Sequence, residues 1–253
     1  MIRTAVLLFV GLFTATFAQA ALPDVQSLLA DAYNGKGPSS MQAQMTMTLV
    51  DAGGKSVDRT LQIRRAGNDR QIVWFESPAN MKGTGFLRLV EGGTEKMWLY
   101  LPAFKKLERI GATDKKRPFL GSDFAYADMA PHNLSDYSAK ILGEGELDGR
   151  KVIHVELTLK NQESDALYGK IVSYIDAETH HVLREDLYDR AGDLIKQKSY
   201  ASWTKVGAYD IPLTVEMKNM QNDHITRLTM ADVKVDQKIA DRVFSTKFLQ
   251  KAR

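Results

Sequence analysis

Alternating hydrophobic and polar residues dominate the chain after residue 40 and predict a long series of β-strands. Between residues 41 and 49, apolar side chains alternate with Gln and Thr, the two-residue period of a strand with one buried face. The same reasoning predicts strands at residues 57–65, 70–76, 86–90, 96–101, 137–142, 151–159, 170–175, 182–188, 194–203, 211–220 and 224–235. Because short polar turns separate many of them, we expect an antiparallel meander. On the later strands, Lys196 and Lys198 are expected to face solvent.

Helical spacing occurs mainly before these strands. Residues 22–33 carry apolar side chains at three- and four-residue intervals, with Asp24 near the start and Gly35 beyond the end, so an amphipathic helix is predicted to pack on the sheet. Ser122 and Asp123 are expected to cap a short helix over residues 124–129. A helical turn is expected near the C-terminus.

Two predicted strands are apolar on both faces. Residues 72–75 read Ile-Val-Trp-Phe, and residues 97–101 read Met-Trp-Leu-Tyr-Leu. Such strands need a cover on each side or an apolar ligand, which favours a lipid. A strand buried in a sandwich has the same pattern, and periodicity does not separate the two.

Three blocks of sequence, residues 83–89, 97–110 and 119–129, make the chain resemble the outer membrane lipoprotein-sorting proteins, a LolA-like family. The resemblance implies a mainly β fold with covering helices: a strongly curved antiparallel sheet, an unclosed β-barrel, with α-helices over its concave face. It also implies a cavity for acyl chains. With no Pro-, Gly- or Ser-rich linker in the chain, we expect one domain over residues 21–253.

The cavity candidates are large apolar residues of the resembling blocks and of the first strand. They are Met45, Met47, Trp74, Phe86, Met97, Leu99, Leu101, Phe119, Leu120, Phe124 and Met129. Flexible methionines suit a surface that accepts variable cargo, although they also serve as ordinary core filler. Residues 111–129, here called the lid, contain the least regular run and are expected to move over the cavity.

A basic cluster is the second candidate site. It comprises Lys105, Lys106, Arg109, Lys115, Lys116 and Arg117. Clustered Lys and Arg are attracted to anionic lipid head groups or to an acidic partner. A solvated loop would have the same composition.

The first twenty residues have the pattern of a signal peptide. Arg3 precedes an apolar stretch, and Ala18-Gln19-Ala20 provides a small-residue cleavage signal, so cleavage is expected before Ala21. An uncleaved anchor is the alternative, but the apolar stretch is short for a membrane span. The chain has no cysteine, so no disulfide and no acylated cysteine can form. A periplasmic protein without a lipid anchor is expected.

Composition and motifs argue against several classes of function. The chain has 34 Lys and Arg against 31 Asp and Glu, a balance that does not suggest nucleic-acid binding. The histidines have no metal-ligand spacing, and Glu178 with His180 and His181 is interpreted as a surface turn. No catalytic set or nucleotide loop is recognised, so we expect neither an enzyme nor a cofactor or metal.

Two functions remain. The first is a soluble periplasmic carrier that binds a lipid or lipoprotein acyl chain in a hydrophobic cavity and shuttles it towards the outer membrane, with transient membrane contact. The alternative is a non-carrying accessory module of an inner-membrane export complex of the RND/MMPL type. The resemblance leads us to expect such an exporter as a partner in either case.

Overall fold

The computed structural model describes residues 22–35 and 37–251. The signal peptide expected over residues 1–20 and its cleavage site before Ala21 lie outside the described residues. Within residues 22–35 and 37–251, the helices and strands are a helix α1 (Val25–Asn34), a short helix α2 (Thr246–Leu249) and thirteen strands. The strands are β1 (Ser40–Val50), β2 (Ser56–Ala66), β3 (Arg70–Phe75), β4 (Gly85–Glu91), β5 (Thr94–Leu101), β6 (Lys106–Ile110), β7 (Tyr137–Leu147), β8 (Arg150–Leu159), β9 (Lys170–Asp176), β10 (Val182–Tyr188), β11 (Leu194–Val206), β12 (Tyr209–Asn219) and β13 (Ile225–Val235). In the described part of the chain, no helix has the length and apolar character needed to cross a membrane.

All thirteen strands form one antiparallel sheet that is not closed into a barrel. β1 to β6 make one meander and β7 to β13 make another, and the two join where β1 pairs with β13. β6 and β7 are therefore the two edges, although they follow each other in the chain. The predicted fold class, a curved antiparallel sheet with covering helices, is confirmed.

The main hydrophobic core covers the concave face of this sheet. It draws apolar side chains from strands of both meanders, and α1 adds Leu28 and Leu29, which are almost fully buried. The helix begins where the Asp24 carboxylate accepts a hydrogen bond from the Ser27 backbone N–H, the usual N-cap arrangement. Its last turn is tied to the sheet by the Tyr33 hydroxyl, which donates to Glu185 on β10 at 2.6 Å.

A second, smaller core lies on the opposite face of β3 and β4. Ile72, Trp74 and Leu87 pack there against Phe244 and Leu249 from the C-terminal segment. Alternate residues of a strand point to opposite faces, so the neighbouring Val73, Phe75 and Phe86 enter the main core instead. The two-sided apolar pattern of β3 thus reflects a cover on each face.

The segment between the two edge strands, residues 111–136, links β6 to β7 from one edge of the sheet to the other. Its first part is the lid, whose Phe119, Phe124 and Tyr126 are buried in the main core. The helix expected over residues 124–129 is shorter, a 3-10 turn over Tyr126–Met129. Ser122 does not cap it, since its hydroxyl donates to the Phe119 carbonyl within the lid.

Candidate functional site

A cavity of about 260 Å³ lies between the concave face and the lid. Its walls come from β1, β2, β3, β4, β11, β12 and β13, and residues of the lid, with the two that follow it, form its cover. The apolar lining residues are Met45, Met47, Leu61, Ile63, Val73, Phe119, Phe124, Met129, Ala130, Pro131, Val215 and Leu228. The polar lining residues are Arg65, Asn68, Gln71, Arg88, Asp128, Lys198 and Tyr200.

Strand register explains why the lining is apolar at one level and polar at the next. On β2, β3 and β4, Ile63 pairs with Val73, which pairs with Phe86. One step further along the same face, Arg65 pairs with Gln71, which pairs with Arg88. Same-face positions on a strand are about 7 Å apart, so an apolar row lies directly beside a row with two guanidinium groups.

Five of the eleven predicted cavity residues line this cavity, namely Met45, Met47, Phe119, Phe124 and Met129. Trp74 does not line it, because its ring lies on the opposite face, with Phe248 edge-on at 6.3 Å. Phe86 lies beneath the lid, with its ring 5.3 Å from that of Phe119. The remaining candidates pack in or against the main core without lining the cavity: Met97, Leu99, Leu101 and Leu120.

The lid is held to the sheet at both of its sides. The Arg59 guanidinium on β2 donates to the Leu120 carbonyl at 2.6 Å. The Thr226 hydroxyl on β13 accepts from the Asp123 backbone N–H at 2.9 Å and donates to the Asp123 carboxylate at 2.7 Å. Leu120 has a positive φ of 51°, which a branched side chain adopts rarely. These polar contacts hold the lid without a continuous strand ladder.

The prediction that Lys196 and Lys198 of β11 face solvent is wrong. Lys198 lines the cavity, and the ammonium of Lys196 lies 3.6 Å from the Asp128 carboxylate of the lid. Both lysines are therefore on the concave face. The alternation of residue types along β11 shows which side chains share a face, but it does not show which face the lid covers.

A buried polar network lies behind Lys198. The Glu185 carboxylate is fully buried and accepts hydrogen bonds from the hydroxyls of Tyr33 at 2.6 Å and Tyr200 at 2.9 Å. The imidazole Nε2 of His132 lies 3.6 Å from the carboxylate, too far for a hydrogen bond. Burial alone would raise the pKa of Glu185, but His132, Lys198 and the Tyr33 hydroxyl lower it to about 2.

The basic cluster is split between two locations. Lys105, Lys106 and Arg109 are exposed on the β5–β6 hairpin, and Lys116 and Arg117 are exposed in the first part of the lid. Lys115 is engaged, because its ammonium lies 2.7 Å from Glu95, which also binds Arg88. Although burial opposes it, these two cations hold the pKa of Glu95 below its usual value.

Sequence reasoning missed Phe104, at the tip of the β5–β6 hairpin. This side chain is 77% exposed and directly precedes Lys105, whose left-handed backbone ends the turn. An exposed aromatic beside exposed lysines is a recognised pattern of membrane-surface contact. The run Phe-Lys-Lys was visible in the sequence, but its exposure was not.

Metal binding finds no support among the described residues, where no three His, Asp or Glu side chains come together to hold an ion. His181 instead stacks on Trp203 with ring centroids 3.9 Å apart. His180 lies 3.0 Å from the Asp31 carboxylate of α1. The two histidines therefore have structural contacts of their own.

A protein-family model with the description "Uncharacterized protein" matches residues 67–251. The chain belongs to this family and has a LolA-like fold. No functionally curated protein matches it.

Solved structures share this LolA-like fold. A Vibrio parahaemolyticus domain described as an outer membrane lipoprotein-sorting protein is 27% identical, with a TM-score of 0.79 over 89% of this chain and 96% of that chain. A DUF1329 family protein from Desulfovibrio piger is 22% identical, with a TM-score of 0.79 over 85% and 92%. A LolA superfamily protein from Nitrosomonas europaea is 20% identical, with a TM-score of 0.72 over 90% and 100%. The last two show the fold alone.

Proposed function

We propose that this LolA-like chain is an exported carrier that binds the acyl chain of a lipid or lipoprotein and moves it through the periplasm towards the outer membrane. The observation that carries the proposal is the cavity under the lid, whose apolar lining includes Met47, Phe119 and Phe124. The Vibrio parahaemolyticus relative, described as a lipoprotein-sorting protein, supports it. The proposed function is binding, as expected of a LolA-like carrier and binding fold.

The size of the cavity implies that the lid moves when cargo enters. At about 260 Å³, it is smaller than the roughly 300–1,000 Å³ of ordinary ligand sites. Each methylene that an acyl chain buries contributes about 0.8 kcal/mol to binding. An acyl chain that displaces the lid can bury its methylenes against the apolar surface beneath it. The hydrogen bonds of the lid to Arg59 and Thr226, and that of Asp128 to Tyr168, are among the contacts that must break or shift.

Export and free diffusion complete the proposal. The signal-peptide pattern before Ala21 directs the chain out of the cytoplasm, and a chain without cysteine carries no acylated cysteine that would tether it to a membrane. A carrier between two membranes requires both properties.

A second candidate function rests on the hairpin tip. Phe104 is exposed beside Lys105 and Lys106, and such a tip also suits contact with a partner protein. The second candidate is therefore a non-carrying accessory module of an inner-membrane RND/MMPL-type exporter. Under the carrier proposal, the same tip provides transient contact with the membrane or the exporter.

A cavity-filling substitution tests the carrier function. Leu228→Trp places a large ring in the cavity, and we expect it to weaken binding of a neutral apolar fluorophore, and of lipid detected by native mass spectrometry, about tenfold or more. Leu89→Trp is the matched control, because Leu89 is also half-buried but packs in the smaller core on the opposite face.

Wild-type protein that binds neither the fluorophore nor lipid would exclude the carrier function and favour the accessory module. Equal binding by the two folded tryptophan variants would contradict the assignment of this cavity.

A further inference from the structure

The cavity contains a cation that the described fold leaves without a carboxylate. Arg65 lines the cavity, and among residues 22–35 and 37–251 its guanidinium has no carboxylate within 4.0 Å and no hydrogen bond. Burial, together with the positive charge of Arg88, lowers the pKa of Arg65. A half-buried guanidinium that no described carboxylate pairs with is a candidate binding group for an anionic ligand.

The other charged groups of the cavity do not supply that partner. Arg88 is bound by Glu95 and by the Asn68 carbonyl. Asp128 accepts from the Tyr168 hydroxyl at 2.8 Å and from the Ala125 backbone N–H at 2.7 Å, and it lies near Lys196.

Lys198 is compensated differently. It is the cross-strand neighbour of Glu185, so the buried carboxylate lies close to its charge. The uncompensated positive charge is therefore at Arg65.

The position of Arg65 relates this charge to the acyl chain. Arg65 and Arg88 lie two strands apart with Gln71 between them, so their backbones are about 10 Å apart. An anion above Gln71 is within reach of both guanidinium groups, and guanidinium binds phosphate and carboxylate well. The apolar row of Ile63 and Val73 begins at the next position on the same face.

We propose that the cargo is an anionic amphiphile, whose phosphate or carboxylate binds Arg65 beside Gln71 and Arg88 while its acyl chain lies along the apolar row. This inference rests on the proposed carrier function and narrows its substrate class.

The experiment compares two amphiphiles with the same acyl chain. Lysophosphatidic acid carries a phosphate, and monoacylglycerol is neutral. Each is titrated against a neutral apolar fluorophore bound to the full chain, and inorganic phosphate alone forms a third arm. We expect lysophosphatidic acid to bind about ten- to a hundredfold more tightly than monoacylglycerol, as a charge-assisted hydrogen-bonded pair permits.

Arg65→Gln should reduce this preference to about threefold or less. Arg64→Gln is the matched control, because Arg64 points to the other face of β2, with its guanidinium 5.0 Å from the centre of the Trp74 ring. We expect the control to keep the wild-type preference. Arg65→Lys, which retains a charge but not the planar fork, should keep part of it.

Each outcome decides one question. Equal affinity for the two amphiphiles, or an unchanged preference in Arg65→Gln, overturns the anionic cargo while leaving the carrier function intact. Failure of both amphiphiles to bind overturns the carrier function and the inference with it. If inorganic phosphate competes as strongly as lysophosphatidic acid, the site binds a free anion and not a lipid head group, which overturns the inference.

Stability provides an independent readout. Because Arg65 is half-buried and makes no ion pair with a described residue, Arg65→Gln should melt at the wild-type temperature or above in the absence of lipid. A lower melting temperature would show that Arg65 has a structural role and would contradict the inference.

Discussion

At the scale of single residues, Glu185 shows how a charge is kept inside the concave core. Its two oxygens accept from the Tyr33 and Tyr200 hydroxyls, and Tyr33 comes from α1, so the carboxylate fastens the helix to the sheet. Its pKa of about 2 lies below that of a carboxyl in an unfolded chain, about 4.3. A group with a depressed pKa stabilises the fold above its unfolded pKa and loses that contribution as the pH falls through the folded one.

We therefore expect Glu185→Gln to lower the free energy of unfolding at pH 7 by about 3 kcal/mol, the usual effect of breaking a buried ion pair. The difference from wild type should shrink as the pH falls from about 4.5 towards 2, because the carboxylate of the unfolded chain binds a proton in this range while that of the folded protein does not. Urea unfolding at several pH values measures this. Glu144→Gln on β7, an exposed position, should show little difference at any pH. A Glu185→Gln deficit that does not change with pH would contradict the charged state.

At the scale of elements, the β5–β6 hairpin combines an apolar tip with positive charge. Phe104 can insert into the acyl boundary of a membrane while Lys105 and Lys106 meet anionic head groups. Lys115, predicted to belong to the same surface, is occupied by Glu95 and serves to hold the lid base near β5.

Phe104→Ser should reduce binding to anionic vesicles about three- to tenfold, at low and high salt alike. Reversing Lys105 and Lys106 to Glu should reduce it at low salt only, because screening removes the charge effect. Leu142→Ser on the opposite edge strand is the control, since Leu142 is also an exposed hydrophobic residue, at 50%. If Phe104→Ser binds vesicles as strongly as the wild type, the hairpin tip does not contact the membrane. It then contacts a protein partner or only solvent.

At the scale of the whole molecule, the two meanders meet at β1 and β13, so their outer strands β6 and β7 become the edges of an open sheet. The segment joining these edges carries the lid across the concave face. The strands are stabilised by continuous hydrogen-bond ladders in addition to the main core, whereas the lid is held by its buried aromatic side chains and a few hydrogen bonds, without a ladder. The lid is therefore expected to open before the sheet does.

Hydrogen exchange measured by mass spectrometry tests this difference. Exchange over residues 111–129 should be faster than in β8 and β9 in the empty protein, and it should slow when an amphiphile is bound. Arg59→Gln, which removes the bond to the Leu120 carbonyl, should speed lid exchange without affecting β8. Lid protection equal to that of the strands, with and without ligand, would identify the lid as fixed core and favour the accessory-module function.

Much of the architecture was predictable because it depends on local periodicity. Strand β8 was predicted at residues 151–159 and is found at Arg150–Leu159, and β3 was predicted at 70–76 and is found at Arg70–Phe75. α1 could be located because Asp24 and Gly35 mark its ends. The short turns between consecutive strands also made an antiparallel meander predictable.

The candidate site was only partly predictable. Met45, Met47 and Phe124 line the cavity, but Arg65 and Lys198 were not recognised because a charged residue on an alternating strand is normally assigned to the solvent face. Trp74 and Val73 are neighbours on a strand apolar on both sides, and nothing local distinguishes which one enters the main core. The C-terminal segment, some 170 residues later in the chain, covers Trp74.

By itself, then, the sequence determined where the chain forms strands, how consecutive strands pair and which segment lacks regular structure, since these depend on nearest neighbours and turn residues. Only the tertiary structure decided which face of each strand is concave, where Arg65 and Lys198 lie relative to the apolar row, and that the lid crosses between the sheet edges. The physical reason is that burial is set by sheet curvature and by contacts between residues far apart in the chain, such as Tyr33 with Glu185 and Asp123 with Thr226.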